Sequence, residues 1–171
     1  ISGGTVRGTA DDHVLGDEHS TSGGANYDGS AIIVDSRSAG YAGNVKINVT
    51  GGTVESYYSN AIREIGNDSS MTQLTELTVT GGNVLGASKE LGNVPNDMLV
   101  RGFSVKNVSV SGGTFNHEVQ PDYCAIGYVP TPKDGKYGVK AAEGNAYIRD
   151  NVEKAAEIME EMMEFFGYAN W

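Results

Sequence analysis

The chain has 171 residues, 39% of them hydrophobic, which fits a single domain with its own core. A net charge of −10 argues against nucleic-acid binding, and no run of residues approaches the roughly 18 apolar positions of a membrane span. One cysteine excludes an internal disulfide, and 24 glycines without a Gly-X-Y period exclude collagen.

A six-residue repeat occurs four times along the chain. The copies are residues 1–6 (ISGGTV), 49–54 (VTGGTV), 79–84 (VTGGNV) and 110–115 (VSGGTF). The segments that enter the last three copies alternate apolar and polar residues, which is typical of strands. Because the same residues recur in the same order, we expect the copies to stack as parallel strands with like side chains in register.

This stacking predicts ladders of like side chains. We expect Val54 to lie against Val84 in the core. Beside it we expect a polar ladder of Thr5, Thr53, Asn83 and Thr114. The paired glycines mark a bend at the same place in every repeat. The competing arrangement is a β-sandwich of hairpins, which predicts two-residue turns and no shared register between distant strands. The same alignment predicts a second strand per repeat, at 31–34, 60–63 and 98–100.

The loop after the first copy carries the densest polar cluster of the chain, which includes Asp11, Asp12, Asp17 and Glu18. Carboxylate oxygens suit calcium, so these four residues are the candidate metal ligands. Their spacing matches neither an EF-hand nor a zinc signature, and a solvated acidic loop is the alternative. No other cofactor is expected.

Three tyrosines in or near the loops, Tyr27, Tyr57 and Tyr58, are the candidate carbohydrate-binding residues. Exposed aromatic rings bind sugars by stacking against their apolar faces. Successive strand residues point to opposite faces, so one ring of the Tyr57 and Tyr58 pair is expected to pack inward. Insertions that collect at one corner of a stacked repeat favour a binding surface there.

The pattern changes twice toward the end of the chain. Asp134 and Gly135 between two apolar segments predict a two-residue hairpin turn. Residues 145–166 have apolar side chains at spacings of three and four, which predicts an amphipathic helix. That helix either covers the end of the stack or packs against another copy or another chain. The expected domains are therefore 1–140, a parallel β-helix with a closing hairpin, and 141–171, a helical cap or assembly segment.

The repeats, together with the closing residues 122–128 (DYCAIGY) and 134–137 (DGKY), resemble a known group of sequences. These are the Gly-Gly-Thr-Phe repeat regions of large secreted or surface proteins from gut-type Firmicutes, within the pectin-lyase-like right-handed parallel β-helices. The resemblance covers about residues 1–140 and implies an extracellular or cell-surface bacterial module. The predicted fold class is all-β, a right-handed parallel β-helix (solenoid) of about four coils with a closing hairpin and a C-terminal amphipathic α-helix.

The predicted function is a non-catalytic extracellular β-helix module for adhesion, carbohydrate contact or self-assembly. Self-association is expected through the C-terminal helix and the open strand edge at Ile1. The alternative is a polysaccharide-active enzyme, a lyase or glycoside hydrolase, or a fragment of one, since β-helix enzymes of that superfamily cut acidic polysaccharides. The chain lacks the Gly-His-Gly and Arg-x-Lys motifs, and no catalytic residue is assigned.

Overall fold

The computed structural model describes residues 1–10, 29–36, 44–66, 73–88, 94–144 and 154–155. The chain divides into two compact units, Ile1–Lys140 and Ala141–Trp171. In the second unit the described residues Gly144, Lys154 and Ala155 are helical, and the rest of the predicted helix lies outside the described residues. No helix in the described ranges is long and apolar enough to cross a membrane.

Twelve strands are described, and they lie in three sheets. In chain order they are β1 (Thr5–Gly8), β2 (Ile32–Asp35), β3 (Val45–Val49), β4 (Thr53–Ser56), β5 (Ile62–Ile65), β6 (Leu74–Val79), β7 (Asn83–Leu85), β8 (Met98–Leu99), β9 (Val108–Val110), β10 (Thr114–Phe115), β11 (Tyr128–Lys133) and β12 (Lys136–Ala141). The first sheet has the order β1-β4-β7-β10-β12-β11, the second β2-β5-β8 and the third β3-β6-β9. From β1 to β9, any three consecutive strands therefore lie in three different sheets, whereas β10, β11 and β12 all lie in the first.

Like residues of the repeat face one another in the first sheet. Its β1, β4, β7 and β10 strands pair in parallel, with Val54 opposite both Val6 and Val84. The predicted Val54 and Val84 register is thus confirmed. In the polar ladder Asn83 lies opposite Thr53, and its Nδ2 donates a hydrogen bond to Thr53 Oγ1 at 3.1 Å.

The hydrophobic core is built from all three sheets. Val54 and Val84 of the first sheet, Ile62 of the second, and Leu77 and Val79 of the third are at most 1% exposed. Strand alternation directs one side chain in two toward this shared core. Burying an aliphatic side chain of this size stabilises the fold by about 1.5–3 kcal/mol, so these ladders are the main source of stability.

The predicted fold class is wrong. The described residues form one mixed six-stranded sheet and two parallel three-stranded sheets, with 3-10 helix at Gly102–Asn107 and Pro121–Tyr123 and no described helix of seven or more residues. This does not fit a right-handed parallel β-helix with a C-terminal α-helix. The physical reason is that a repeat specifies which strands pair and in what register, but not what joins their sheet: β12 adds antiparallel to β10, with Phe115 opposite Tyr137.

Candidate functional site

A groove of about 720 Å³ lies beside the turn between β11 and β12. Three other segments complete its walls: the end of the β7 segment, the approach to β8, and the residues that follow β10. Four of its lining side chains are uncharged hydrogen-bonding groups, Ser88, Asn96, Asn116 and Tyr137. The groove is therefore a polar site in which the C-terminal hairpin forms one wall.

The turn that positions this wall follows from its two residues. Asp134 and Gly135 have φ angles of 49° and 76°, the positive values that a tight hairpin turn of the type I′ class requires. The turn brings Lys136 next to the β10 segment, where its Nζ donates to Asn116 Oδ1 at 2.5 Å. Asn116 Nδ2 in turn donates to the Gly86 carbonyl at 2.6 Å. Asn116 is thus held at both ends of its amide.

A buried pair of titratable side chains, Asp97 and His117, lies beside the groove, and His117 is the member of the pair that lines it. Asp97 is 4% exposed and His117 8%. Asp97 Oδ1 accepts a hydrogen bond from the Gly86 amide at 2.6 Å and lies 3.2 Å from His117 Nδ1, while Oδ2 accepts from the His117 amide at 2.7 Å. One carboxylate therefore joins three chain segments.

Burial sets the electrostatics of this pair. Desolvation raises the pKa of Asp97, and the hydrogen bonds from His117 and Gly86 oppose that increase because they stabilise the charged form. The contact with Asp97 also orients the imidazole of His117. When Nδ1 carries the proton, Nε2 is a hydrogen-bond acceptor. His117 lines the groove, and no described residue binds its Nε2.

The predicted carbohydrate-binding tyrosines that are described, Tyr57 and Tyr58, do not line this groove. Tyr57 is 38% exposed, and the Arg7 guanidinium lies 5.4 Å from its ring centroid. Arg7 Nε also donates to Glu55 Oε1 at 2.5 Å, a contact that raises the pKa of Arg7. A cation therefore already occupies one face of the Tyr57 ring. Tyr58 is half-buried.

The remaining predicted site residues lie outside the described residues: Tyr27, Asp11, Asp12, Asp17 and Glu18. Among the residues that the structure describes, no group of three or more His, Cys, Asp or Glu side chains is placed to hold a metal ion. The calcium site in the first loop stays a prediction.

Asp97 and His117 were not among the site residues predicted from the sequence. A signal was available in the register of the first sheet. Because Phe115 lies opposite Val84, His117 occupies the position that Gly86 holds one repeat earlier. A histidine in place of a glycine, at a bend where backbone segments approach closely, indicates a polar contact that the repeat itself does not need.

Comparison of the chain with protein-family models, curated proteins and solved structures gives no match. The function must therefore be argued from the chemistry of the site.

Proposed function

We propose that the protein is a non-catalytic binding module of a secreted or cell-surface protein, and that it binds neutral carbohydrate in the groove beside the β11–β12 turn. One observation carries this proposal: the groove presents hydrogen-bonding side chains that no described residue satisfies. These are the hydroxyls of Ser88 and Tyr137 and the side-chain amide of Asn96.

These side chains match the chemistry of a sugar. A sugar hydroxyl both donates and accepts hydrogen bonds, and amide and hydroxyl side chains do the same. Ligand sites in general combine a few such polar groups with apolar or aromatic surface. Tyr137 supplies that surface, because it lines the groove and is only partly buried against the core.

Charge favours a neutral glycan over an acidic one. The chain carries a net charge of −10, which repels a polyuronate or a sulfated polymer. Within the groove, the Lys136 ammonium is bound to Asn116 Oδ1 and Glu118 supplies a carboxylate. The described lining thus balances one positive group with one negative group, and the net negative charge of the chain opposes the approach of an acidic sugar.

The carboxylates of the groove favour binding over glycoside hydrolysis. Most glycosidases flank the scissile bond with two carboxyl groups. The described lining of the groove includes one, Glu118. The Asp97 carboxylate accepts hydrogen bonds from two backbone amides and lies against the His117 ring, so it is used in holding the wall together.

The test is a glycan array with neutral and acidic glycans, followed by calorimetry on the glycans that bind. We expect neutral glycans to bind, and Asn96→Ala to weaken that binding by at least tenfold, because it removes an amide that faces the groove. Asn48→Ala is the matched control, since Asn48 is a β3 residue whose amide accepts from Thr78. Binding that is lost equally in both variants, or is confined to acidic glycans, would contradict the proposal.

A second candidate function, a polysaccharide-active enzyme that uses His117 as an acid or base, is favoured by the Asp97 and His117 contact. A carboxylate at Nδ1 keeps Nε2 directed away from it, as general acid-base catalysis requires. The same glycans are therefore assayed for new reducing ends and for unsaturated products. Cleavage that disappears in His117→Gln while glycan binding persists would favour catalysis over simple binding.

A further inference from the structure

Two backbone hydrogen bonds recur wherever one copy of the repeat lies on the preceding copy. The residue before the Gly-Gly pair donates its amide to the preceding copy, as in Thr50 N to Ile1 O and Thr80 N to Val49 O, both at 2.9 Å. The residue after the pair does the same, as in Thr53 N to Gly4 O, also at 2.9 Å. Each copy therefore docks on the one before it through the same two amides.

In the first copy the equivalent amides belong to Ser2 and Thr5. No described residue accepts a hydrogen bond from either of them, and no described strand pairs with that edge of β1. An edge with such donors accepts an added strand.

The apolar ladders are incomplete at the same edge. Val54 and Val49 of the second copy are 0% exposed, whereas the equivalent Val6 and Ile1 of the first copy are 37% and 36% exposed. Apolar side chains at these two ladder positions thus have a neighbouring copy on one side and an exposed surface on the other.

The space beside Gly3 is the observation most specific to an added copy of the repeat. At Gly51 an added Cβ would lie 2.5 Å from the Ser2 carbonyl oxygen, and at Gly81 it would lie 2.6 Å from the Thr50 carbonyl oxygen. The preceding copy therefore requires glycine at both positions. At Gly3, an added Cβ meets no described atom within 4 Å, and its φ is not in the left-handed region. Nothing in the described residues requires a glycine there.

We infer that the outer edge of β1 is a docking site for an extended segment that carries another copy of the repeat and adds as a parallel strand. Its backbone carbonyls accept from Ser2 and Thr5, its valines cover Ile1 and Val6, and its closest carbonyl occupies the space beside Gly3. The docked strand continues the ladder that already joins β1, β4, β7 and β10.

The occupant is an extended segment with this repeat and not the far end of a second copy of this chain. At the far end of the ladder, β10 already pairs with β12 in the antiparallel direction. Its edge is therefore not available for the parallel pairing that Gly3 accommodates. Pairing of two β1 edges would be antiparallel and would bring no repeat bend against Gly3.

The probe is a fluorescein-labelled synthetic peptide with the sequence of residues 45–56, VKINVTGGTVES, titrated with the full chain and followed by fluorescence anisotropy. We expect saturable binding that a scrambled peptide does not show. Gly3→Ala should weaken it at least tenfold, because the methyl group occupies the space of the incoming carbonyl. Gly102→Ala is the matched control, since an added Cβ there also meets no atom within 4 Å, and it should bind like wild type.

Three outcomes would overturn the proposal. The first is no saturable binding of the peptide, and the second is equal binding by the Gly3→Ala and Gly102→Ala variants. The third is a wild-type dimer, seen by light scattering without peptide, that Gly3→Ala dissociates; the occupant would then be a second copy. Circular dichroism of both variants checks that each one is folded like the wild type.

Discussion

The two ends of the β1-β4-β7-β10 ladder carry the same six-residue repeat in different surroundings. At the β10 end, β12 pairs with the last copy, Lys133 Nζ donates to the Gly113 carbonyl at 3.0 Å, and Phe115 is 1% exposed. At the β1 end, Val6 holds the position equivalent to Phe115 and is 37% exposed. The repeat therefore determines the register of the strands, whereas the neighbouring segment determines how deeply each side chain is buried.

The largest difference in stability is expected when a charge is placed at the same ladder position in the middle of the ladder and at its open end. Val54→Asp buries an unpaired carboxylate at a 0% exposed position, and we expect a loss of about 4 kcal/mol or more, enough to prevent folding. Val6→Asp should cost about 1 kcal/mol or less, because its carboxylate remains hydrated. Urea unfolding followed by circular dichroism measures both. Equal losses would show that Val6 is buried as deeply as Val54.

Removing the carboxylate of Asp97 should have the next largest effect, at the closed end. Asp97→Ala leaves the Gly86 and His117 amides without their acceptor, and hydrogen bonds to a charged group contribute about 1.5–3 kcal/mol each. We expect a loss of about 3 kcal/mol in urea unfolding. Glu118→Ala, a change on the exposed wall of the same groove, is the control and should stay within about 0.5 kcal/mol of wild type.

The raised pKa of Asp97 also predicts a pH dependence. A carboxyl whose pKa is higher in the folded state than in the unfolded state binds its proton more tightly when folded. Its contribution to stability is therefore largest below the usual carboxyl range and falls as the pH rises from about 4 through the raised value. Relative to Asp97→Asn, wild type should lose unfolding free energy over this window. If the difference in unfolding free energy between wild type and Asp97→Asn does not change with pH, the pKa of Asp97 is not raised in the folded state.

Adding a methyl group at a Gly-Gly bend should reduce the unfolding free energy by a smaller amount, which again depends on whether a neighbouring copy lies against the bend. Gly81→Ala places a Cβ 2.6 Å from the Thr50 carbonyl oxygen, and we expect the resulting backbone shift to cost about 1–3 kcal/mol. Gly3→Ala, with no described atom within 4 Å, should leave the unfolding free energy of the free chain nearly unchanged. If both substitutions destabilise the chain equally, the space beside Gly3 is occupied.

The smallest effect is expected at Cys124. Its backbone forms an isolated β-bridge with Val110 of β9, beside the closed end of the ladder. Burial raises the pKa of its thiol from 9.0 to about 11. Since the thiolate is the reactive form, iodoacetamide at pH 8 should label the folded chain about 100-fold more slowly than the urea-unfolded chain. The same shift predicts that stability falls as the pH rises from about 9 to 11, because the unfolded thiol loses its proton first. Equal labelling rates would show an accessible thiol.

The sequence allowed some of these features to be predicted and not others. Identical residues in identical order predict the Val54 and Val84 register, and Asp134 with Gly135 predicts the hairpin turn, because both depend on local chemistry. The Asp97 and His117 contact joins segments that no periodicity relates, and Arg7 meets Tyr57 only after strands distant in sequence have paired. The mixed sheet was missed for the same reason: a hairpin signal predicts its own turn but not the strand to which it adds.

Residue-resolved amide hydrogen exchange by NMR tests most directly the claim that the ladder is open at β1 and closed at β10. We expect the Ser2 and Thr5 amides to exchange rapidly, while the Thr53 and Thr114 amides, which donate to the carbonyls of Gly4 and Gly82, are protected. Protection of Thr5 as strong as that of Thr53, in the chain without added peptide, would show that the β1 edge is not open.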